Sequence, residues 1–215
     1  MGNKKLLLIG GGGHCRSVLD CLLSDNPYQA IGIIDRNTQG PSGLLGIPVV
    51  GSDEDLPRLF SEGWTHAFIT LGSIGSPVRR QTLYASLTEL GFEFPTIIDP
   101  SAVIARAVSL GPGVFVGKRA VVNTGTQVGA CAIVNTGAIL EHDCTVGAFA
   151  HISPGCTLCG GVSVGENTHV GAGCVVRQQI KIGTNALIGA GSTVVQEIEN
   201  NVEAYGVPCK VVKKL

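Results

Sequence analysis

The stretch ISPGCTLCGGVSVGENTHVGAGCVV, from Ile152 to Val176, decides how the chain is read. Every sixth residue in it is aliphatic: Ile152, Leu158, Val164, Val170 and Val176. Outward from there the phase holds back to Ile104 and forward to Val194, through Leu110, Val116, Val122, Val128, Val134, Leu140, Val146, Ile182 and Ile188. Leu, Ile and Val make up roughly a quarter of the chain, so chance would give such a run on the order of once in a billion. Four residues after the aliphatic position the side chain is mostly small, as at Ala120, Thr126, Ala132, Cys144, Cys156, Thr168, Cys174 and Ser192. Glycine often follows the aliphatic residue directly, as at Gly129, Gly147, Gly165, Gly171 and Gly189.

A period of six fits neither an amphipathic helix nor a half-buried strand. It fits a hexapeptide β-helix, in which six residues form a short flat face and a corner, and three faces close a coil. The aliphatic residue points inward and stacks on its equivalents. About five coils spaced by ~4.8 Å give a prism roughly 25 Å tall. Backbone hydrogen bonds run between coils, so each coil templates the next.

The part before the repeat has a different rhythm. Lys5–Ile9 (KLLLI) reads as a buried strand running into Gly10-Gly11-Gly12-Gly13-His14 and a helix with Val18, Leu19, Leu22 and Leu23 on one face. Further strands are expected at Ala30–Ile34, Ile47–Val50 and Thr65–Leu71. Asp53-Glu54-Asp55 opens a helix, and Pro77–Leu90 forms another that ends at Gly91. This alternation implies a small parallel sheet, a Rossmann-like α/β half. The boundary falls near Pro100, giving residues 1–100 as the Rossmann-like half and 101–215 as the β-helix with its tail. After Val194 the period breaks, and Glu197–Val202 is expected to turn away.

Net charge is −1 and charged residues are 14% of the chain, so no basic patch argues for nucleic acid. The apolar run Leu6–Ile9 is too short for a signal peptide or a membrane span, and a cytoplasmic location is the default. Cys144, Cys156 and Cys174 occupy the small inward position, where cysteine acts as a small hydrophobe. Cys156 and Cys159 make one C-x-x-C with no second pair, so no metal is expected.

The glycine turn offers backbone N–H groups to phosphate oxygens at a helix N-terminus. The dinucleotide fingerprint is incomplete: counted from Gly10 its third position is Cys15, and from Gly11 it is Arg16. A nucleoside diphosphate near Asp35 and a plain tight turn both remain open. In the repeat, Leu140 and Cys144 belong to the core, which leaves Glu141, His142 and Asp143 around a corner. A histidine beside carboxylates suits general base catalysis. His151 and His169, one coil apart, are expected to face outward. Gly137, Gly155, Gly173 and Gly191 recur every eighteen residues. They form a strip of bare backbone that could line a ligand groove or simply meet the dihedral needs of a corner.

Together the G-x-x-G-H turn, the N-T-x-x-x-(I/L)-E-H-(D/E)-C segment at Asn135–Cys144 and the Gly206-Val207-Pro208-Cys209-Lys210 tail resemble one family. It is the hexapeptide-repeat sugar O/N-acyltransferases, including UDP-N-acetylbacillosamine N-acetyltransferases and the sialic acid O-acetyltransferase relatives. The resemblance covers nearly the whole chain. It implies a left-handed coil, acetyl-coenzyme A as acyl donor with no metal, and a homotrimer with active sites between prisms. It implies His142 as catalytic base, Asp143 as its orienting acid and Glu141 as a weaker candidate for that role. Coenzyme contacts are expected from His151, Gly155 and Gly160, from Ala172, Gly173, Ala190 and Gly191, and from Lys210. Nucleotide-sugar contacts are expected from Gly12, Gly13, His14, Asp35, Arg36 and Gly72. Cys15 and Arg36 depart from the family pattern and bear on substrate identity, and Cys209, of similar size, stands as a mild departure where the tail usually has alanine. The implied reaction is N-acetylation of a nucleotide-linked sugar, a UDP-4-amino sugar first. The alternatives are O-acetylation of sialic acid or a related sugar, and a sugar-nucleotide-binding scaffold without catalysis. A β-helical carbonic anhydrase is disfavoured because His142, His151 and His169 lack its spacing.

Overall fold

The computed structural model describes residues 4–36, 43–72 and 77–215, and the chain divides into two compact units, Met1–Ile97 and Ile98–Leu215. In the first unit four parallel strands, β1 (Lys5–Ile9), β2 (Ala30–Ile34), β3 (Val49–Gly51) and β4 (His66–Ile69), lie in the order β3-β2-β1-β4. The helices are α1 (Gly13–Ser24), α2 (Leu56–Ser61) and α3 (Val78–Glu89). Leu6, Leu7, Leu8 and Ile9 are all buried, the unbroken apolar run of a strand covered on both faces. Helix α1 buries Cys15, Val18, Leu19, Cys21 and Leu22, whereas Leu23, expected on the same face, lies at the edge of that stripe and is 45% exposed. The acidic Asp53–Asp55 segment is a 3₁₀ turn that leads into α2, not its first α-helical turn. Ser52 and Asp55 cap each other reciprocally there and tighten the entry.

In the second unit two-residue strands recur every six residues and stack into three parallel sheets. One sheet carries Phe115, Ile133, His151, His169 and Leu187 in register, the next Val103, Val121, Ile139, Thr157, Val175 and Thr193, and the third Ser109, Gln127, Thr145, Ser163 and Lys181. Ladder bonds join successive coils, for example Ile133 N–H to Ala150 O at 2.9 Å and Asn135 N–H to Ile152 O at 2.9 Å. The aliphatic positions from Val116 to Val194 form one core, at most 3% exposed. The small inward positions do more than fill space. Thr168 Oγ1 donates to Gly183 O at 2.6 Å, Ser192 Oγ to Gly189 O at 2.6 Å, and the Cys156 and Cys174 thiols to Gly171 O and Gly189 O at 3.0 and 3.1 Å. Their buried polar atoms thereby find carbonyl partners. None of the eight cysteines, all among the described residues, is in a disulfide.

Each corner turns through one left-handed residue, which gives three columns with positive φ. The first is Arg119, Gly137, Gly155, Gly173 and Gly191; the second is Ala107, Gly125, Asp143, Gly161 and Gln179; the third is Gly113, Cys131, Phe149, Asn167 and Asn185. The coil does not stop at Val194, as the broken period implies. Ile198 bridges Ile182, and Val202–Gly206 pairs in parallel with Leu187–Ile188, so the last coil takes sixteen residues (Ile182 to Ile198) in place of eighteen. Cys209–Lys214 then returns antiparallel on Val202–Gly206, with Cys209 buried and Lys210 exposed. A helix long and apolar enough to cross a membrane is absent among the described residues.

Candidate active site

The corner after Leu140 is built from the sequence Glu141-His142-Asp143-Cys144. Leu140 and Cys144 are fully buried and anchor it, while His142 and Asp143 stand exposed. Asp143 takes the left-handed conformation, φ 59°, which aspartate tolerates better than most side chains. Its N–H donates to Thr124 O at 3.0 Å one coil below, which holds that turn in place. The turn brings the Asp143 carboxylate Oδ2 within 2.8 Å of His142 Nδ1. With the carboxylate as acceptor, the proton sits on Nδ1 and the Nε2 lone pair is left for chemistry. The ring lies against Gly160 in the next coil: a Cβ built there would stand 2.6 Å from Nε2. Glu141 is half-buried, and its backbone is tied to Leu158 O and Thr126 Oγ1.

His151 and His169 form a second cluster on a different sheet. They pair in register, with ring centroids 4.9 Å apart and nearly perpendicular. His151 Nε2 is 3.0 Å from Asn135 Nδ2, and Ser153 Oγ is 3.3 Å from His169 Nε2. His151 points away from the prism axis but is only 8% exposed, with the His169 ring and the Asn135 amide against it. Outward direction in the repeat therefore did not mean solvent access. Asn135 enters the sequence reading only as the start of the N-T-x-x-x-(I/L)-E-H-(D/E)-C segment and Ser153 not at all; the signal for both is a separation of sixteen from His151 and His169, just short of one coil.

The glycine strip adjoins this second cluster. At Gly137, Gly155, Gly173 and Gly191 φ lies between 65° and 69°, and an added Cβ would meet nothing within 4 Å. Corner geometry and bare, open backbone thus coexist. Ala172, and Ala190 beside Gly191, belong to the same corner, between the His151 sheet and the Ile139 sheet. His142 belongs to the corner on the far edge of the Ile139 sheet. Within one chain the Ile139 face separates His142 from the glycine strip.

In the first unit the carboxyl ends of β1, β2 and β4 form the crevice where ligands of parallel sheets bind, since the strand order reverses beside β1. Asp35 Oδ2 accepts the Gly11 N–H at 2.6 Å, which locks the glycine turn to the end of β2. Gly12 is the N-cap of α1 with no side-chain cap bond, and none of Gly12, Gly13 and Gly72 has an atom within 4 Å of where a side chain would begin. A small cavity of about 80 Å³ joins Asp35 and Arg36 to Asp53 and Arg79, two residues that sequence alone does not place there. Arg79 Nη2 is 3.6 Å from Asp53 Oδ2. Burial, aided by the Arg80 guanidinium, pushes His14 down to about 4, so its ring is neutral near pH 7. Among the described residues no group of three or more His, Cys, Asp or Glu is placed to hold a metal ion.

Residues 5–87 match the PglD N-terminal domain. Residues 161–196 match the bacterial transferase hexapeptide, six repeats, and residues 107–142 and 137–178 match the hexapeptide repeat of succinyl-transferase. No curated protein matches the sequence significantly. A histidine-to-asparagine variant of perosamine N-acetyltransferase from Caulobacter crescentus, solved with coenzyme A and GDP-perosamine, is 36% identical over 99% of each chain, with a TM-score of 0.91. The acetyltransferase domain of PglB from Neisseria gonorrhoeae FA1090 is 33% identical over 98% of this chain and 100% of that one, also at 0.91, and was solved with acetyl coenzyme A as well. This likeness extends over both units, and with it the chain belongs to the hexapeptide-repeat sugar acetyltransferases, in which a PglD-type α/β domain precedes a left-handed parallel β-helix.

Proposed function

We propose that the chain transfers the acetyl group of acetyl-coenzyme A to the amino group of a sugar carried on a nucleoside diphosphate, with His142 as general base. The observation that carries this reading is the 2.8 Å contact between His142 Nδ1 and Asp143 Oδ2 on an exposed corner. The sugar amine attacks the thioester carbonyl as His142 Nε2 takes its proton. The tetrahedral intermediate collapses, the C–S bond breaks, and the imidazolium returns the proton to the coenzyme thiolate. Asp143 fixes the ring tautomer and stabilises the imidazolium. No covalent enzyme intermediate is needed.

The coenzyme is assigned to the β-helix and the nucleotide sugar to Gly12, Gly13, His14, Asp35, Arg36 and Gly72. Two observations support a site shared between copies of the chain. His142 and Asp143 are exposed, with 61% and 70% of their side-chain surface open, and the glycine strip and His151 lie across the Ile139 face from them. In a trimer the His142 corner of one prism meets the glycine corner of the next. A UDP-4-amino sugar is the first candidate from the sequence resemblance, while the Caulobacter relative was solved with GDP-perosamine. The test is a turnover assay with acetyl-coenzyme A and a panel of UDP-, GDP- and dTDP-linked amino sugars. His142→Ala is expected to lower kcat by about a hundredfold or more while coenzyme A still binds. Near-normal turnover by that variant removes His142 from the mechanism.

A further inference from the structure

The first two coils of the prism carry a charge of their own. Residues 98–140 hold Arg106, Lys118 and Arg119 against one acid, Asp99; three cations less one acid leave +2, in a chain whose net charge is −1. Lys118 Nζ lies 3.8 Å from Oδ2 of the buried Asp99, so the excess belongs to Arg106 and Arg119, both exposed. These two stand on the corners that flank the Ile139 face. Arg106 lies below His142: Thr124 Oγ1 donates to Arg106 O at 2.9 Å and the Asp143 N–H to Thr124 O at 3.0 Å, which stacks Arg106, Thr124 and the His142 turn on one corner. Arg119 lies below the glycine strip, where the Gly137 N–H donates to Lys118 O at 2.8 Å, one coil down.

Arg119 takes the same left-handed turn as the glycines above it, at φ 55°. That turn does not demand glycine, since Asp143, Phe149 and Asn167 make it on the other corners. The glycines keep the upper strip clear, and Arg119 ends it with a long cation. Under the acetyl-coenzyme A reading the donor lies along the strip, upward from the level of His142, so the acceptor amine meets the thioester from below, over the coils that carry the arginines. Distances agree with a phosphate there. Arg106 is two coils under His142, roughly 10 Å at ~4.8 Å per coil, and Arg119 a little over one coil, about 6 Å. In a 4-amino sugar six bonds separate the amine nitrogen from the phosphorus on the anomeric oxygen, and two more reach the second phosphorus. At ~3.4 Å per three bonds these atoms stand roughly 7 and 9 Å from the amine. With the amine at His142 Nε2, an arginine from either corner reaches the diphosphate and offers it a planar fork of N–H donors. Thr124, exposed between Arg106 and His142, sets a hydroxyl at the level of the sugar ring.

We infer that Arg106 of one prism and Arg119 of the next hold the diphosphate of the nucleotide-linked acceptor beneath His142. This rests on the acetyl-transfer reading above, with its meeting of the His142 and glycine corners, and adds two β-helix residues to the acceptor contacts. The test compares the full-length protein with its Arg106→Gln and Arg119→Gly variants, singly and together. Both side chains are outside the core, and glycine suits the left-handed turn at 119, so the variants keep the fold. The KM values for acetyl-coenzyme A and for the amino sugar nucleotide that the panel selects are measured, with the Ki of UDP and GDP. Each single variant is expected to raise the acceptor KM about tenfold, and the pair more, as loss of a charge-assisted hydrogen bond to phosphate does. The Ki of the matching nucleoside diphosphate should rise by the same factor, while the KM for acetyl-coenzyme A stays within about twofold. Arg106→Lys and Arg119→Lys, which keep the charge, should recover part of the loss. An unchanged acceptor KM in the double variant overturns the assignment. So does a rise that spares the Ki of the nucleoside diphosphate, which would place the arginines on the sugar, or an equal rise in the donor KM, the mark of a structural role. Failure of the underlying reading has a separate signature: the wild-type protein would bind no coenzyme A and acetylate no member of the panel.

Discussion

A methyl group at position 160 would stand 2.6 Å from His142 Nε2, so the residue there is dictated by its neighbour one coil below. The obstacle is the far end of a side chain, which can swing away. Gly160→Ala is therefore expected to fold normally and to push the imidazole off Asp143. Since misplacing a catalytic group by about 1 Å can cost on the order of a hundredfold, kcat should fall steeply with coenzyme affinity unchanged. Steady-state kinetics beside calorimetry with coenzyme A would check this, and full activity would show that the ring has room elsewhere. His14 makes a prediction about pH. Its folded value is depressed from 6.5 to about 4. Above pH 6.5 both folded and unfolded chains hold it neutral. As pH falls through the window from 6.5 to 4, the unfolded chain takes up a proton that the folded one refuses, so stability drops and the loss is complete below about 4. Thermal melts between pH 7 and pH 4 should show a shallower decline for His14→Gln than for the wild type. Equal slopes would mean the ring titrates freely in the folded state.

At the scale of the repeating element, two glycines two residues apart do different work. A Cβ at Gly171 would lie 2.6 Å from both Ala190 N and Ile188 O, backbone of the next coil that cannot move without breaking the ladder. Gly171→Ala should lower stability by about 1–3 kcal/mol, as overpacking does. At Gly173 the space is open and only the left-handed φ of 69° is at stake. Gly173→Val should cost about 1–2 kcal/mol of backbone strain and leave the fold intact. Its side chain would stand in the strip proposed for the pantetheine arm, so coenzyme affinity should drop. Chemical denaturation and coenzyme A titration on the pair separate the two effects. Retained affinity in Gly173→Val would place the coenzyme away from this corner.

Across the whole molecule, the division into Met1–Ile97 and Ile98–Leu215 separates two sets of cores. The β-helix cluster, from Val114 to Cys209, draws every member from the second unit. A fragment starting near Phe94 is expected to form the prism alone, because each coil needs only its neighbours. It should bind acetyl-coenzyme A and lose nucleotide-sugar affinity, which calorimetry on the fragment would measure. Tight sugar-nucleotide binding by the fragment would sink the assignment of the first unit, which would then be read as a structural or oligomer-contact domain.

The sequence alone determined the coil. Sixteen aliphatic residues in unbroken phase leave no other periodic structure that stacks them on one inner face, and the eighteen-residue step then sets which residues stack. It also singled out Glu141-His142-Asp143, because core residues on both sides force a short polar segment outward. Tertiary structure decided what depends on neighbours across coils. The left-handed turn at Asp143 aims its carboxylate at the ring, and Gly160 makes room for that ring; neither follows from a one-dimensional pattern. His151 reads as exposed in the repeat and is buried in the fold, where the His169 ring one coil above and the Asn135 amide lie against it. Past Val194 the pattern disappears, yet Ile198 and Val202–Gly206 continue the sheets. A coil two residues shorter keeps its hydrogen bonds while losing its sequence period, and only the register of the ladder reveals it.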